Sequence, residues 1–340
     1  MNLVQKINAF IQLGEALNDF SQPEMEAMLR KAEVHNRWFS IQNLQDSLKS
    51  IQTHFLNKEK LEAWVAQYPS LPSPRLRPHK IGVVMAGNIP LVGFHDFLSV
   101  LMSGHHLLAK LSSQDEVMMR GIAELLIKIE PSFASQITFV DRLNEADAYM
   151  ATGSDNTARY FEFYFGNKPN IIRQNRHSIA ILNGGETEED FKKLGEDIFM
   201  YFGLGCRSVA KVYIPEGFEP TSLYPHWEDW AYLHTHNKYA NNYDYHRAIL
   251  SLNQDDYFDN GFLLLQENSN LSSPTANLYY EFYEDDIALK MKLAPIKEKI
   301  QVIVSQEGHY PGSIPFGKAQ SPELWDYADG VDTMRFLLAL

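Results

Sequence analysis

Ile81-Gly82-Val83-Val84-Met85-Ala86-Gly87-Asn88-Ile89-Pro90-Leu91 carries the first clear strand signal in the chain. A run of small and apolar residues fits a strand buried on both faces, and the Gly-Asn-Xaa-Pro that follows closes it in a tight turn. Asn88 has two readings there. Its amide can donate to a developing oxyanion, or it is simply the first residue of an Asn-Xaa-Pro turn. Phe94 to Met102 then suits a helix. Leu107-Leu108-Ala109-Lys110-Leu111 suits a second strand, with Lys110 an unexpected charge at its end. That lysine either binds a ribose or phosphate, or reaches solvent.

The alternation continues downstream. Glu116 to Ile129 is an amphipathic helix, Gln136 to Val140 a strand, and Ala148-Tyr149-Met150-Ala151 another, running into Thr152-Gly153-Ser154. A helix follows over Thr157 to Phe165. Gly153 lets backbone approach a phosphate at a helix N-terminus, but a Gly-Ser pair at such a turn also serves as an ordinary helix cap. From Ser178 the pattern restarts. Ile179-Ala180-Ile181-Leu182 is a strand, Asn183-Gly184-Gly185 a turn, Glu188 to Tyr201 a helix with an acidic start, and Val209 to Ile214 a strand. Later strands are expected at 262–265, 278–283 and 300–304, with a helix at 284–297. Residues 219–260 are aromatic and polar without clear periodicity. Upstream, residues 1–67 space their apolar positions three and four apart, as helices do, and a proline-rich connector spans 69–78. Strands alternating with helices predict an α/β protein with parallel sheets covered on both faces, as two domains meeting near 175–180.

Composition narrows the function classes. The 340 residues are 45% hydrophobic and 21% charged, which is the balance of a globular protein large enough for two domains. A formal charge of −13 argues against a nucleic-acid partner, which needs a basic face. No apolar run is long enough to cross a membrane, the N-terminus shows no secretory core, and a single thiol fits a reducing compartment; a cytoplasmic location is expected. That thiol, Cys206, sits in Phe202-Gly203-Leu204-Gly205-Cys206-Arg207-Ser208. It is either a small buried hydrophobe or a nucleophile whose thiolate the neighbouring arginine favours.

Taken in order, Gly87-Asn88-Ile89-Pro90-Leu91, Ser103-Gly104-His105-His106-Leu107-Leu108-Ala109-Lys110, Ala151-Thr152-Gly153-Ser154, Ile181-Leu182-Asn183-Gly184-Gly185, Gly203-Leu204-Gly205-Cys206-Arg207-Ser208 and Pro315-Phe316-Gly317 resemble the motifs of the aldehyde dehydrogenase superfamily over about residues 80–335. The particular variants look most like its acyl-CoA reductases (LuxC-like). The resemblance implies two doubly wound parallel-sheet domains, a Rossmann-like cofactor domain and a catalytic domain. The expected boundaries are a helical N-terminal segment at 1–78 packing on the cofactor domain, the cofactor domain at 79–177, the catalytic domain at 178–318 and a C-terminal segment at 319–340. It further implies Cys206 and Asn88 as catalytic residues, and Lys110, Ser113, Thr152, Gly153, Ser154 and Gly184 as cofactor-binding.

Departures from the superfamily pattern shape the expected chemistry. Relatives that release free acids carry a glutamate base just before Gly-Gly, and the matching residue here is Leu182. Without that base a thioester on Cys206 would outlast attack by water and accept hydride. Asn270 stands where a second glutamate holds the nicotinamide ribose. Ser113 replaces the acid that often selects NAD, so NADPH is the expected cofactor. The resulting expectation is NADPH-dependent reduction of a fatty acyl-CoA to an aldehyde. Alternatives are reduction of an acyl phosphate or an acyl-carrier protein, and a non-catalytic scaffold. A homo-oligomer is expected, with an acyl-activating enzyme as a further partner.

Other residues carry paired readings. His234, His236 and His246 lack a completing acid or cysteine, so no metal site is expected. His105 and His106 are either near the cofactor or structural. Phe161, Phe163, Tyr164, Phe165, Tyr201 and Phe202 line an acyl tunnel or belong to the core. Lys168, Arg173, Arg176 and Arg207 pair with CoA phosphates or are surface charges.

Overall fold

The computed structural model describes residues 1–71, 77–153 and 155–340. The chain divides into two units, Met1–Asn175 with Pro322–Leu340, and Arg176–Ser321.

The first unit opens with four helices, α1 (Leu3–Ala16), α2 (Pro23–His35), α3 (Ile41–His54) and α4 (Lys58–Ala66). Each begins where the sequence supplies a start signal. Asn2 and Gln5 form a capping box, Pro23 occupies the first turn of α2, and the Ser40 and Asn57 side chains accept the third amide of α3 and α4. Then come β1 (Lys80–Val84), α5 (Phe94–Ser103), β2 (His106–Lys110), α6 (Glu116–Ile129), β3 (Ile137–Phe139), β4 (Ala148–Thr152), α7 (Asp155–Phe165) and β5 (Asn170–Arg173). The five strands are all parallel in the order β3-β2-β1-β4-β5. β1 is central and buried, as its run of apolar residues predicts. The N-terminal helices share one continuous core with α5 and α6, and Leu324, Met334 and Leu337 from the end of the chain join it. Buried Lys6 secures α1 by donating from Nζ to the Leu101 carbonyl at 2.7 Å, near the end of α5.

The second unit contains β6 (His177–Ile181), α8 (Glu188–Phe199), β7 (Val209–Pro215), α9 (Asn237–Asn253), β8 (Phe258–Asp259), β9 (Leu264–Glu267), β10 (Asn277–Tyr283), α10 (Asp286–Leu293), β11 (Ile300–Ser305) and β12 (Ile314–Pro315). Its sheet runs β12-β11-β6-β7-β10-β9-β8, parallel except for the two-residue edge strand β8. The chain then returns to the first unit, where α11 (Thr333–Leu338) lies against α5 and where Arg173 bridges Asp96 (2.6 Å) and Thr333 (2.9 Å).

The short elements β8, β12 and α11 escape periodicity, and so do β5 and α9. β5 is only four residues long and follows a glycine and a proline. α9 lies inside the aromatic stretch 219–260 and buries only Tyr239, Tyr243 and Leu250, too few positions to draw an apolar stripe. Among the described residues no helix is long and apolar enough to cross a membrane.

Candidate active site

The cysteine loop begins with strained backbone. After α8 the chain passes through Tyr201 (φ 54°), Phe202 (φ 59°) and Gly203 (φ 71°), three successive left-handed residues. Glycine adopts that conformation freely, whereas each aromatic residue gives up roughly 1–2 kcal/mol. Burial holds them in place. Both are about 5% exposed or less, and the Phe202 ring lies 4.3 Å from that of His236. The loop that emerges carries Cys206 exposed. The reading of this cysteine as a buried hydrophobe is therefore excluded, while Tyr201 and Phe202 belong to the core.

Hydrogen bonds fix the loop on either side of the sulfur. Ser208 N–H donates to the Gly205 carbonyl (3.0 Å), and Gly205 N–H donates to Ser208 Oγ (3.2 Å). Ser178 Oγ donates to the Cys206 carbonyl at 3.0 Å, and Arg207 Nη1 to the Ala319 carbonyl at 3.3 Å. Ser178 was not singled out by sequence, because a serine at a strand start gives no sign of what it will meet.

This anchoring corrects one expectation. Ser178 lies at the start of β6, so Cys206 sits at the N-terminal edge of the second sheet. Leu182 and Gly184 follow the opposite end of β6, and the strand steps from Ser178 to Ile181 alone span about 10 Å. Gly184 therefore does not lie beside Cys206, and neither does Leu182, whose fully buried side chain replaces no base there. Gly184 N–H donates instead to Glu186 Oε2 (3.0 Å), in a local turn that its φ of 84° permits. Residues 163–185, which lead through β5 into β6, contain no Asp or Glu.

In the first unit, Asn88, Lys110 and Thr152 all lie at or just beyond the C-terminal ends of β1, β2 and β4. In the order 3-2-1-4-5 the chain changes direction about β1, and that edge is where open α/β sheets bind ligands. Asn88 and Lys110 are exposed and Thr152 is half-buried. The turn that carries Asn88 is held from both sides. Ser47 Oγ donates to the Pro90 carbonyl (2.8 Å), and Asp115 Oδ2 accepts from Leu91 N–H (2.8 Å), where Leu91 is left-handed at φ 57°. A Cβ on Gly87 would meet Ser112 at 2.6 Å, and one on Gly153 would meet Thr157 at 2.9 Å, so both turns need glycine. Burial pushes the Asp115 carboxyl well above its ordinary range, and its Oδ1 has no hydrogen-bond partner among the described residues. Asp115 was not singled out by sequence, because an acid just ahead of a helix is ordinary there. Ser113 is exposed, with its carbonyl 2.6 Å from His35 Nε2. Ser154 lies outside the described residues.

The remaining candidates resolve individually. His105 is fully buried between the His79 amide, which donates to Nδ1 at 3.0 Å, and the Leu337 carbonyl, 2.8 Å from Nε2; its role is structural. Arg173 is neither a surface charge nor a phosphate ligand, because it is buried and bidentate to Asp96. Phe163 and Tyr164 are 79% and 70% exposed on α7, outside any core, while Phe165 stacks on Tyr149 at 4.1 Å. His236 caps α9 and His234 packs edge-on against Tyr243.

A 3-2-1-4-5 sheet with glycine turns at its ligand edge, and a second mostly parallel sheet exposing one cysteine on a strained loop, define the aldehyde dehydrogenase fold. Solved structures agree. Aldehyde dehydrogenase 21 from Physcomitrella patens, crystallised with its reaction product succinate, superposes with a TM-score of 0.69 over 100% of this chain and 84% of its own, at 10% identity. An oxidoreductase from Marinobacter aquaeolei gives 0.70 over 95% and 79% at 8% identity. The propionaldehyde dehydrogenase of a Clostridium phytofermentans microcompartment gives 0.62 over 94% and 82% at 9%. The profile of the acyl-CoA reductase (LuxC) family matches residues 12–221, and the chain belongs to that family. It is thus an oxidoreductase of the aldehyde dehydrogenase superfamily whose family acts on acyl thioesters. No curated protein matches it at the sequence level.

Proposed function

We propose that this protein reduces a fatty acyl-CoA to the aldehyde with NADPH, through a thioester on Cys206. The observation that carries this reading is the exposure of the sole cysteine on a loop whose backbone is strained and pinned at both flanks. Such a loop holds the sulfur in one place with little reorganisation on attack.

The Cys206 thiolate attacks the acyl carbonyl carbon, and collapse of the tetrahedral adduct expels CoA as its thiolate. Asn88 is assigned as side-chain donor to the oxyanion, with the Cys206 amide as a second donor. With no carboxylate in residues 163–185, water near the acyl-enzyme lacks a carboxylate base from that segment, and the thioester persists. A bound nicotinamide supplies a hydride to the acyl carbon. The resulting thiohemiacetal oxyanion on Cys206 collapses to the aldehyde, breaking the carbon–sulfur bond and returning the thiolate.

The ligand edge of the first sheet suits a dinucleotide, since Asn88, Lys110 and Thr152 follow β1, β2 and β4 where the strand order reverses. Lys110, Ser113, Thr152, Gly153 and Ser154 are assigned to hold it. A structural neighbour, the Bacillus cereus aldehyde dehydrogenase, was solved with NAD+. The pairing of exposed Lys110 with a neutral Ser113 supports the 2′-phosphate of NADPH. Gly184 is not carried forward. A homo-oligomer working with an acyl-activating enzyme completes the reading.

Incubation with a labelled acyl-CoA, without cofactor, followed by peptide mass spectrometry tests the first step. A thioester on Cys206 is expected, absent in Cys206→Ala. Folded protein that gives no adduct with any chain length of acyl-CoA, but gives one with an acyl phosphate, would move the donor class; no adduct with either would overturn the nucleophile.

A further inference from the structure

Residues 317–320 follow β12 and run along α8 toward the cysteine loop. Asp197, near the end of α8, is fully buried and anchors this strap with both carboxyl oxygens. Oδ2 accepts from Gly317 N–H at 2.7 Å, and Oδ1 accepts from Ala319 N–H at 2.9 Å. The strap lies close on the helix, since a Cβ on Gly317 would meet Glu196 and Lys193 at 3.2 Å. Its far end holds the cysteine loop. The Ala319 carbonyl accepts from Arg207 at 3.3 Å, and Gln320 Nε2 donates to Ser208 Oγ at 3.0 Å, the same oxygen that receives Gly205 N–H. Arg207 and Ser208, just after Cys206, are thus tied to a strap held by one carboxyl group, and Gly205 joins them through Ser208 Oγ.

We propose that Asp197 is a positioning residue for Cys206, acting through the 317–320 strap. The proposal rests on the reading of Cys206 as the nucleophile, and it adds a proton-dependent element to that site. Burial pushes Asp197 up to about 7, against the two N–H donors that favour its carboxylate. The charges acting on it are Glu196 on the same helix, which raises it further, and Lys318 in the strap, which lowers it. As a carboxylate, Asp197 accepts both amides. Once protonated, one oxygen carries the hydrogen and the charge is lost, so the carboxyl accepts the two amides more weakly. The strap is therefore anchored most tightly above about pH 7 and more weakly below.

The sign for stability is opposite. An acid whose folded pKa is raised contributes stability at low pH and loses it as pH rises from its ordinary 3.8 to about 7. Tightening of the cysteine loop thus accompanies a falling contribution to overall stability, which a merely structural carboxylate would not produce at the thiol.

The test is the alkylation rate of Cys206 by iodoacetamide across this pH range, divided by the thiolate fraction read from ultraviolet absorbance. In the wild type the normalised rate is expected to change by about fivefold around pH 7, the worth of one hydrogen bond. Asp197→Asn, which keeps one acceptor, should show no step at any pH. Gln320→Leu, which leaves Asp197 in place but cuts the strap from Ser208, should show a reduced step and serves if Asp197→Asn does not fold. A normalised rate that is flat in the wild type, or a step that survives in Asp197→Asn, would overturn the proposal. If the step is present but no acyl-enzyme forms, the nucleophile reading fails while the positioning role stands.

Discussion

The hydroxyl of Ser178 donates to the carbonyl of Cys206 over 3.0 Å. This one bond ties the cysteine loop to the start of β6 and decides which edge of the second sheet carries the thiol. Residues at the other end of that strand are removed from its chemistry.

Leu182 is at that far end, fully buried, with its carbonyl accepting the Tyr283 hydroxyl at 2.6 Å. Leu182→Glu is expected to destabilise the fold by about 3 kcal/mol or more, because the new carboxyl is buried without a partner. Acyl-thioester hydrolysis should not rise. Thermal melting and a hydrolysis assay report the two halves, and faster hydrolysis by a stable variant would contradict the placement.

Gly87→Ala is expected to cost about 1–3 kcal/mol through overpacking, since its methyl group would sit 2.6 Å from Ser112. The turn bearing Asn88 must shift to relieve that contact. Calorimetry measures the cost, and weakened NADPH binding by fluorescence titration measures the shift. Unchanged melting would mean that the turn is looser than described.

Asp115 supplies a pH signature in the first unit. Burial raises its carboxyl well above the ordinary range, opposed only by the Leu91 amide. Its contribution to stability is therefore present in acid and lost as pH rises above its ordinary value of 3.8. Asp115→Asn keeps an oxygen for Leu91 and removes the ionisation. The variant should melt higher than wild type at alkaline pH, by about 1.4 kcal/mol for each unit of the displacement, and the gap should close in acid. A gap independent of pH would assign the effect to packing instead.

Phe202 tests the strained turn. Phe202→Ala and Phe202→Gly both lose the ring packed on His236, about 3–5 kcal/mol. Because the backbone is left-handed at φ 59°, the glycine variant should be the more stable of the two by about 1 kcal/mol. Urea unfolding compares them directly, and an alanine variant of equal or greater stability would rule out a left-handed residue there.

Glu281 joins two lysines. It pairs with Lys211, whose side chain is fully buried on β7, and with Lys292. Burial opposes its charge, but the hydrogen bonds from the two lysines prevail and hold it below its ordinary value of 4.5, so this contribution is lost only as pH falls below that value. Glu281→Gln should cost about 3–5 kcal/mol by leaving Lys211 buried without its counter-charge, and adding Lys211→Met should restore most of that. A double variant no more stable than the single one would show that the pair is not the source of the cost.

The architecture could be read from residue order because strands buried on both faces must be continuous apolar runs, and helices covering them must be amphipathic. Ile81 to Met85 and Glu116 to Ile129 carry those patterns within their own residues, whereas Gly87 is required by a contact with Ser112, 25 residues further on. The sole cysteine in its glycine loop was likewise visible. Tertiary structure decided everything that depends on meetings between distant segments. It exposed Cys206, put Ser178 rather than Gly184 beside it, and buried Arg173 against Asp96 while leaving Phe163 and Tyr164 in solvent. It also aimed the carboxyls of Asp115 and Asp197 at backbone amides 24 and 120 or more residues away. Local sequence specifies a residue's conformation and polarity, but the partner of a buried carboxyl, or the end of a strand that a loop will touch, is set only when the sheet closes and the helices pack on it.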